Sequence, residues 1–125
     1  VTTALARADV ARMQQSPYRS QAEAQFAAFG MEWVSDHLNI HAHVMLYEPL
    51  SVNLPGGRYT PDFLIIGFDG LMYFIEVKGS RKQAGYRDAR SKLRAAAAIC
   101  RWARWFEVIV GGREWSIEEM ERSAR

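Results

Sequence analysis

A single cysteine, Cys100, stands among the 125 residues. One thiol excludes an internal disulfide framework and a cysteine zinc cluster, and it predicts a reducing, cytoplasmic setting. No apolar run approaches the ~18 residues needed to span a bilayer, so no membrane segment is expected. The opening VTTALARADV lacks the basic segment and continuous apolar stretch of a secretory signal. The pairs Gly56-Gly57 and Gly111-Gly112 lack the surroundings of a phosphate loop, which argues against a nucleoside-triphosphate site. A Ser-His-Asp pattern is missing, as are repeats, low-complexity tracts and any interdomain linker. What is present is one domain's length of chain, 49% hydrophobic and 12% aromatic. That composition excludes disorder and allows one real core.

The net charge of +2 conceals an uneven distribution. Residues 1–77 carry 4 basic and 8 acidic side chains, a balance of −4. Residues 78–104 carry 9 basic and 1 acidic, a balance of +8. Residues 105–125 carry 3 basic and 5 acidic, a balance of −2. The middle is a concentrated cationic block.

Residues 3–15 read as a short helix, broken by Ser16-Pro17. A second helix is predicted over 19–36. There Ser20 and Glu23 have capping-box spacing, and Ala22, Phe26, Phe29 and Trp33 fall on one face with Glu23 beside it. Residues 41–54 read as an extended segment interrupted by Pro49. Pro55-Gly56-Gly57 marks a turn, 58–66 a strand, Phe68-Asp69-Gly70 a tight hairpin and 71–78 the next strand. A long helix is predicted over 84–103, with Leu93, Ala96, Ala97 and Cys100 on its apolar face. FEVIV at 106–110 reads as a short buried strand. EWSIEEMERSAR predicts a closing helix, since Ser116 and Glu119 again have box spacing. The expected fold class is α/β, a central mixed sheet flanked by helices. The chain divides into an N-terminal helical arm (1–18), a core (19–110) and a C-terminal helix (111–125).

Two short segments carry chemistry. Pro61-Asp62-Phe63 opens one strand, and Glu76-Val77-Lys78-Gly79 ends the next. A hairpin between them brings Asp62 and Glu76 to the same end of the sheet. Alternation puts Glu76 and Lys78 on one face and turns Val77 the other way. Both acids sit in strongly apolar strands, DFLII and MYFIEV, where a charge is costly unless it is paired or metal-bound. Paired carboxylates suit a hard cation such as Mg²⁺, which takes one or two of them together with waters and substrate phosphate. Lys78 could orient an attacking water or offset developing phosphate charge. Glu23 could add a third carboxylate, with Glu32 as the competing position on the same helix.

The words PDF and IEVKG, with an acidic helix upstream, resemble the PD-(D/E)xK nuclease superfamily over roughly residues 20–110. TPDFLI and EVKG are most similar to small phage-encoded or mobile-element endonucleases, and Holliday-junction resolvases share the core. The resemblance implies a restriction-endonuclease-like α-β-β-β-α-β core. It also implies a Mg²⁺- or Mn²⁺-dependent endonuclease that hydrolyses DNA phosphodiester bonds through a metal-activated water. Asp62, Glu76 and Glu23 would then be metal ligands together with the Val77 carbonyl, and Lys78 would be the catalytic lysine.

The basic block supports a polyanionic partner independently. Arg81, Lys82, Arg87, Arg90, Lys92 and Arg94 are the expected DNA contacts, since Lys and Arg neutralise phosphates and release counterions. Gln83 and Lys92 are further positions that could reach the site. Duplex or branched DNA fits these residues. So does a dimer cutting a junction symmetrically, with the N-terminal arm and the tryptophans Trp102, Trp105 and Trp115 at its interface. A reading from another class is a DNA-binding module without activity, or a subunit of a larger nucleoprotein machine. His41 and His43 share a strand face near His37, but no third ligand at suitable spacing accompanies them.

Overall fold

The structure, a computed structural model, describes residues 17–121. The expected helix over 3–15 lies outside these residues. The first described helix, α1, spans Gln21–Leu38. Ser20 caps it, accepting the Glu23 N–H at 3.1 Å as the box spacing predicts. Its buried residues are Glu23, Phe26, Gly30 and Val34, a 3-4-4 stripe. Phe29 was expected on that stripe but is 67% exposed. Gly30 decides the difference. The Phe26 ring lies so close over Gly30 that a Cβ there would overlap it, and this small residue lets Phe26 pack flat on the sheet.

Strand β1 (Ala42–Tyr47) follows, then a hairpin of β2 (Val52–Leu54) and β3 (Gly57–Tyr59). β4 (Phe63–Gly67) and β5 (Met72–Lys78) form the second hairpin. Its turn is as predicted: Gly70 is left-handed at φ 84, and Asp69 Oδ1 accepts the Leu71 N–H at 3.0 Å. The expected strand over 58–66 is divided, because its first residues pair with β2 and its last with β1 and β5. Pro61 sits at the division and cannot donate to a ladder. Helix α2 (Tyr86–Ile99) crosses to β6 (Arg104–Ile109), which lies parallel to β5.

The predicted C-terminal helix is instead a strand, β7 (Ser116–Glu119), antiparallel to β6. Glu and Met favour a helix only weakly. The competing gain is larger, since β6 would otherwise be an open edge. Pairing closes that edge, seats Met120 in the core and brings Glu118 and Glu119 to Arg90 and Arg104.

The fold is therefore α/β, with a five-stranded mixed sheet in the order β1-β4-β5-β6-β7. One face packs on α1, where Phe26 and Val34 meet Phe63, Ile65, Tyr73, Ile75 and Val77. The other packs on α2, where Leu93, Ala96 and Ala97 meet Leu64, Phe74 and Trp105. Phe74 and Trp105 stack with centroids 4.2 Å apart. The β2–β3 hairpin lies against α2 on this second face. Among the described residues, no helix is long and apolar enough to cross a membrane.

Candidate active site

The site is built by the end of the β4–β5 ladder. Phe63 pairs with Ile75, so one further step sets Asp62 opposite Glu76. A second step would set Pro61 opposite Val77, and proline has no N–H to give. The Val77 N–H donates instead to Asp62 Oδ2 at 2.7 Å. Both main-chain groups of a strand residue face the same neighbour. The Val77 carbonyl is thus directed to the edge where Asp62 stands, with no proline N–H to meet it. Asp62 is held from behind as well, since its own carbonyl accepts the Glu48 N–H at 2.8 Å.

Glu76 is 5% exposed. Its Oε1 accepts the Tyr59 O–H at 2.6 Å, and its Oε2 lies 3.3 Å from Lys78 Nζ. Glu76 and Lys78 share a sheet face with Phe74, while Val77 joins the α1-side core, as alternation requires. Glu23 is buried in the first turn of α1. Its Oε1 accepts the Tyr47 O–H at 2.7 Å. Glu32 is exposed, nine residues or ~13 Å further along the helix. Of the two acids, Glu23 is the one that acts on Asp62 electrostatically.

These carboxylates strain against one another. Burial, and then the charge of Glu76, pushes the Asp62 carboxyl well above the usual range; Glu23 adds to the rise, while the Val77 N–H and Lys78 oppose it. Burial raises Glu76 as well, against the opposing pull of the Tyr59 hydroxyl and Lys78. Three acids face one lysine, and the group gains its full negative charge only as Asp62 ionises toward about pH 8. Among the described residues, no three His, Cys, Asp or Glu side chains are gathered into a ready-made cage. Mg²⁺ needs none, because one or two carboxylates with waters suffice. Asp62 and Glu76, each raised by burial and close enough to interact, fit a hard divalent cation, with Glu23 and the Val77 carbonyl nearby.

A pH dependence follows. An acid whose folded pKa lies above its unfolded value of about 4 favours the unfolded state increasingly as pH rises through that interval. The metal-free protein should therefore lose stability from Asp62 between about pH 4 and about pH 8, with Glu76 acting in the same direction. A divalent cation held by the two carboxylates would compete with protons for them, so Mn²⁺ bound there should raise the melting temperature more at the higher pH. Thermal unfolding with and without Mn²⁺ at both values checks this. Equal increments at the two pH values would contradict it.

The expected DNA contacts divide into three groups. Arg81 and Lys82 are exposed in the loop that leaves β5, and Arg87 and Arg94 are exposed on α2. Lys92 lies 3.3 Å from Asp88, one turn away. The Arg90 side chain is turned inward and only 17% exposed. It donates to Glu107 Oε1 at 2.9 Å and to Glu118 Oε2 at 2.8 Å. Gln83 Oε1 accepts the N–H of Gly79, the residue after Lys78, at 2.9 Å. The histidines are separate: His37 stacks on Trp33, and His43 packs on Phe68. Trp105 is buried and Trp115 half-buried, while Trp102 is 59% exposed.

Glu107 is a functional-looking residue that the motif does not reveal. It is 2% exposed and stands beside Glu76 in the parallel register. Its signal is a lone acid inside FEVIV, which demands a cation for the same reason that Glu76 does. Tyr59 has a weaker signal, its place three residues before Asp62, which suits either a residue bordering the site or a packing one; Tyr47 has none, because its partner is distant in sequence. No family model, no curated protein and no solved structure matches this chain.

Proposed function

We propose that this chain is a metal-dependent DNA endonuclease with a restriction-endonuclease-like, PD-(D/E)xK core. The observation that carries the reading is the placement of Asp62 opposite Glu76 at a ladder end, with Lys78 Nζ 3.3 Å from Glu76. Asp62 and Glu76 are the cation ligands, joined by the Val77 carbonyl and, less directly, by Glu23. A bound Mg²⁺ or Mn²⁺ supplies a water of lowered pKa and offsets phosphate charge. Lys78 is 17% exposed on its side chain, enough to meet substrate, and it holds a positive charge where the phosphate gains negative charge.

The basic surface begins where the acids end. Arg81 and Lys82 follow Lys78 within four residues, and Arg87 and Arg94 lie seven apart on α2, ~10 Å along its axis. They bind the DNA backbone without reading its sequence. They also offset the repulsion between phosphates and the acidic centre. The protein should therefore bind DNA with a strong salt dependence.

The test is a cleavage panel of supercoiled plasmid, linear duplex, a four-way junction and RNA, each with Mg²⁺, Mn²⁺ or chelator. Cleavage of DNA with either metal and none with chelator is the expected result. Stronger cutting of the junction would narrow the substrate to branched DNA. Salt-dependent DNA binding without cleavage in either metal would replace this reading with that of a binding module.

A further inference from the structure

Two tyrosines approach the acidic centre from opposite faces of the sheet. Tyr59 is the last residue of β3, and the β2–β3 hairpin brings it in on the α2 side. Tyr47 is the last residue of β1 and packs against Phe63 and Tyr18 on the α1 side. Each gives its one hydroxyl proton to Oε1 of a buried glutamate, Tyr59 to Glu76 at 2.6 Å and Tyr47 to Glu23 at 2.7 Å. The other oxygen is treated differently in both. Glu76 Oε2 faces the chain's own cation, Lys78 Nζ, at 3.3 Å. Glu23 Oε2 meets Ser20 Oγ at 3.5 Å, the outer limit of a hydrogen bond.

A free carboxylate can rotate and offer either oxygen. A phenol that claims one oxygen fixes the plane of the group and leaves the other to a ligand. The hydroxyl is suited to this because it donates once and stays protonated. We propose that Tyr59 and Tyr47 are positioning residues, each committing Oε1 of its glutamate so that Oε2 is presented to a divalent cation. This rests on the cation site of the preceding subsection. It also gives the β2–β3 hairpin a task, since its last residue supplies one brace and Asp62 follows three residues later.

Partners that orient ligating carboxylates commonly carry ~10–100-fold in metal affinity. The experiment is Mn²⁺ titration calorimetry of the full chain, with metal-free thermal unfolding measured alongside. Tyr59→Phe and Tyr47→Phe are each made in the wild type and in Glu23→Gln. Tyr59→Phe should weaken Mn²⁺ binding by ~10-fold in both backgrounds. Tyr47→Phe should weaken it in the wild type and add nothing once Glu23→Gln is present. That selectivity separates a brace from a general loosening of the fold, which lowers affinity in either background. Unchanged affinity in both tyrosine variants would overturn the proposal, as would equal losses from Tyr47→Phe in both backgrounds. If Tyr59→Phe does not fold, the Tyr47 and Glu23 arm decides alone. Wild type that binds no Mn²⁺ would remove the cation site itself, an outcome distinct from failure of the braces.

Discussion

Arg90→Met is expected to destabilise the protein by ~3–5 kcal/mol, the usual cost of stripping one partner from a buried ion pair. Arg90 lies within the most basic stretch of the chain, where a surface role is the natural expectation. Its guanidinium instead bridges two strands, meeting Glu107 on β6 and Glu118 on β7. The Glu107 side chain is 1% exposed. Among the described residues, Glu107 without Arg90 keeps the Tyr86 hydroxyl, at 2.9 Å, and no counter-charge. The bridge also ties α2 to the sheet edge that β7 closes. Urea unfolding measures the loss, and ~3 kcal/mol corresponds to a melting shift of roughly 10 °C in a domain of this size. A loss below ~1 kcal/mol, typical of an exposed pair, would contradict the account. The double variant Arg90→Met, Glu107→Met should recover most of the stability, since an apolar pair of similar volume can replace a buried ionic one. Arg87→Met, on the exposed face, should leave stability nearly unchanged and weaken DNA binding.

Asp62→Asn should have two effects of opposite sign. DNA cleavage should fall by at least ~100-fold, the scale on which removal of a charge-stabilising group in an active site is felt. Stability of the metal-free protein should rise at about pH 8, because one of the mutually repelling buried charges is gone. Asparagine keeps the shape, and its amide oxygen can still accept the Val77 N–H. A carboxylate that served the fold would behave otherwise, with its loss lowering stability and leaving activity intact. Stability and function pull apart at active sites, where like charges are held together for a ligand. Denaturant midpoints and initial cleavage rates on the same preparation separate the two cases. A fall in stability with full activity would make Asp62 a structural residue.

The line of the sheet was legible because its signals are local. Asp69-Gly70 predicts the turn that joins β4 and β5, and alternation then places Asp62, Glu76 and Lys78 without further information. The α2 face of Leu93, Ala96, Ala97 and Cys100 is buried as its spacing predicts. Long-range competition decided the rest. Ser116 and Glu119 have capping-box spacing and Glu118 and Glu119 weakly favour a helix, yet the open edge of β6 recruits residues 116–119 as a strand. Phe29 matches the apolar spacing of α1, but the small Gly30 draws the buried stripe away from it. Arg90 was indistinguishable from Arg87 and Arg94 along the sequence, because the acids that claim it lie 17 and 28 residues away. The Tyr47 brace was hidden for the same reason, with its partner 24 residues distant, whereas Tyr59 could be placed near the site by its nearness to Asp62 but not joined to Glu76, 17 residues on.

Asp62 and Glu76 are proposed to form a divalent-cation site that cuts DNA. The most direct measurement is the conversion of supercoiled plasmid to nicked and linear forms by wild type and Asp62→Asn, purified in parallel, with Mn²⁺ and then with excess chelator. Conversion by wild type in Mn²⁺ alone, and by neither protein in chelator, is the predicted result. Equal conversion by the two proteins, or conversion that survives chelator, would contradict the claim.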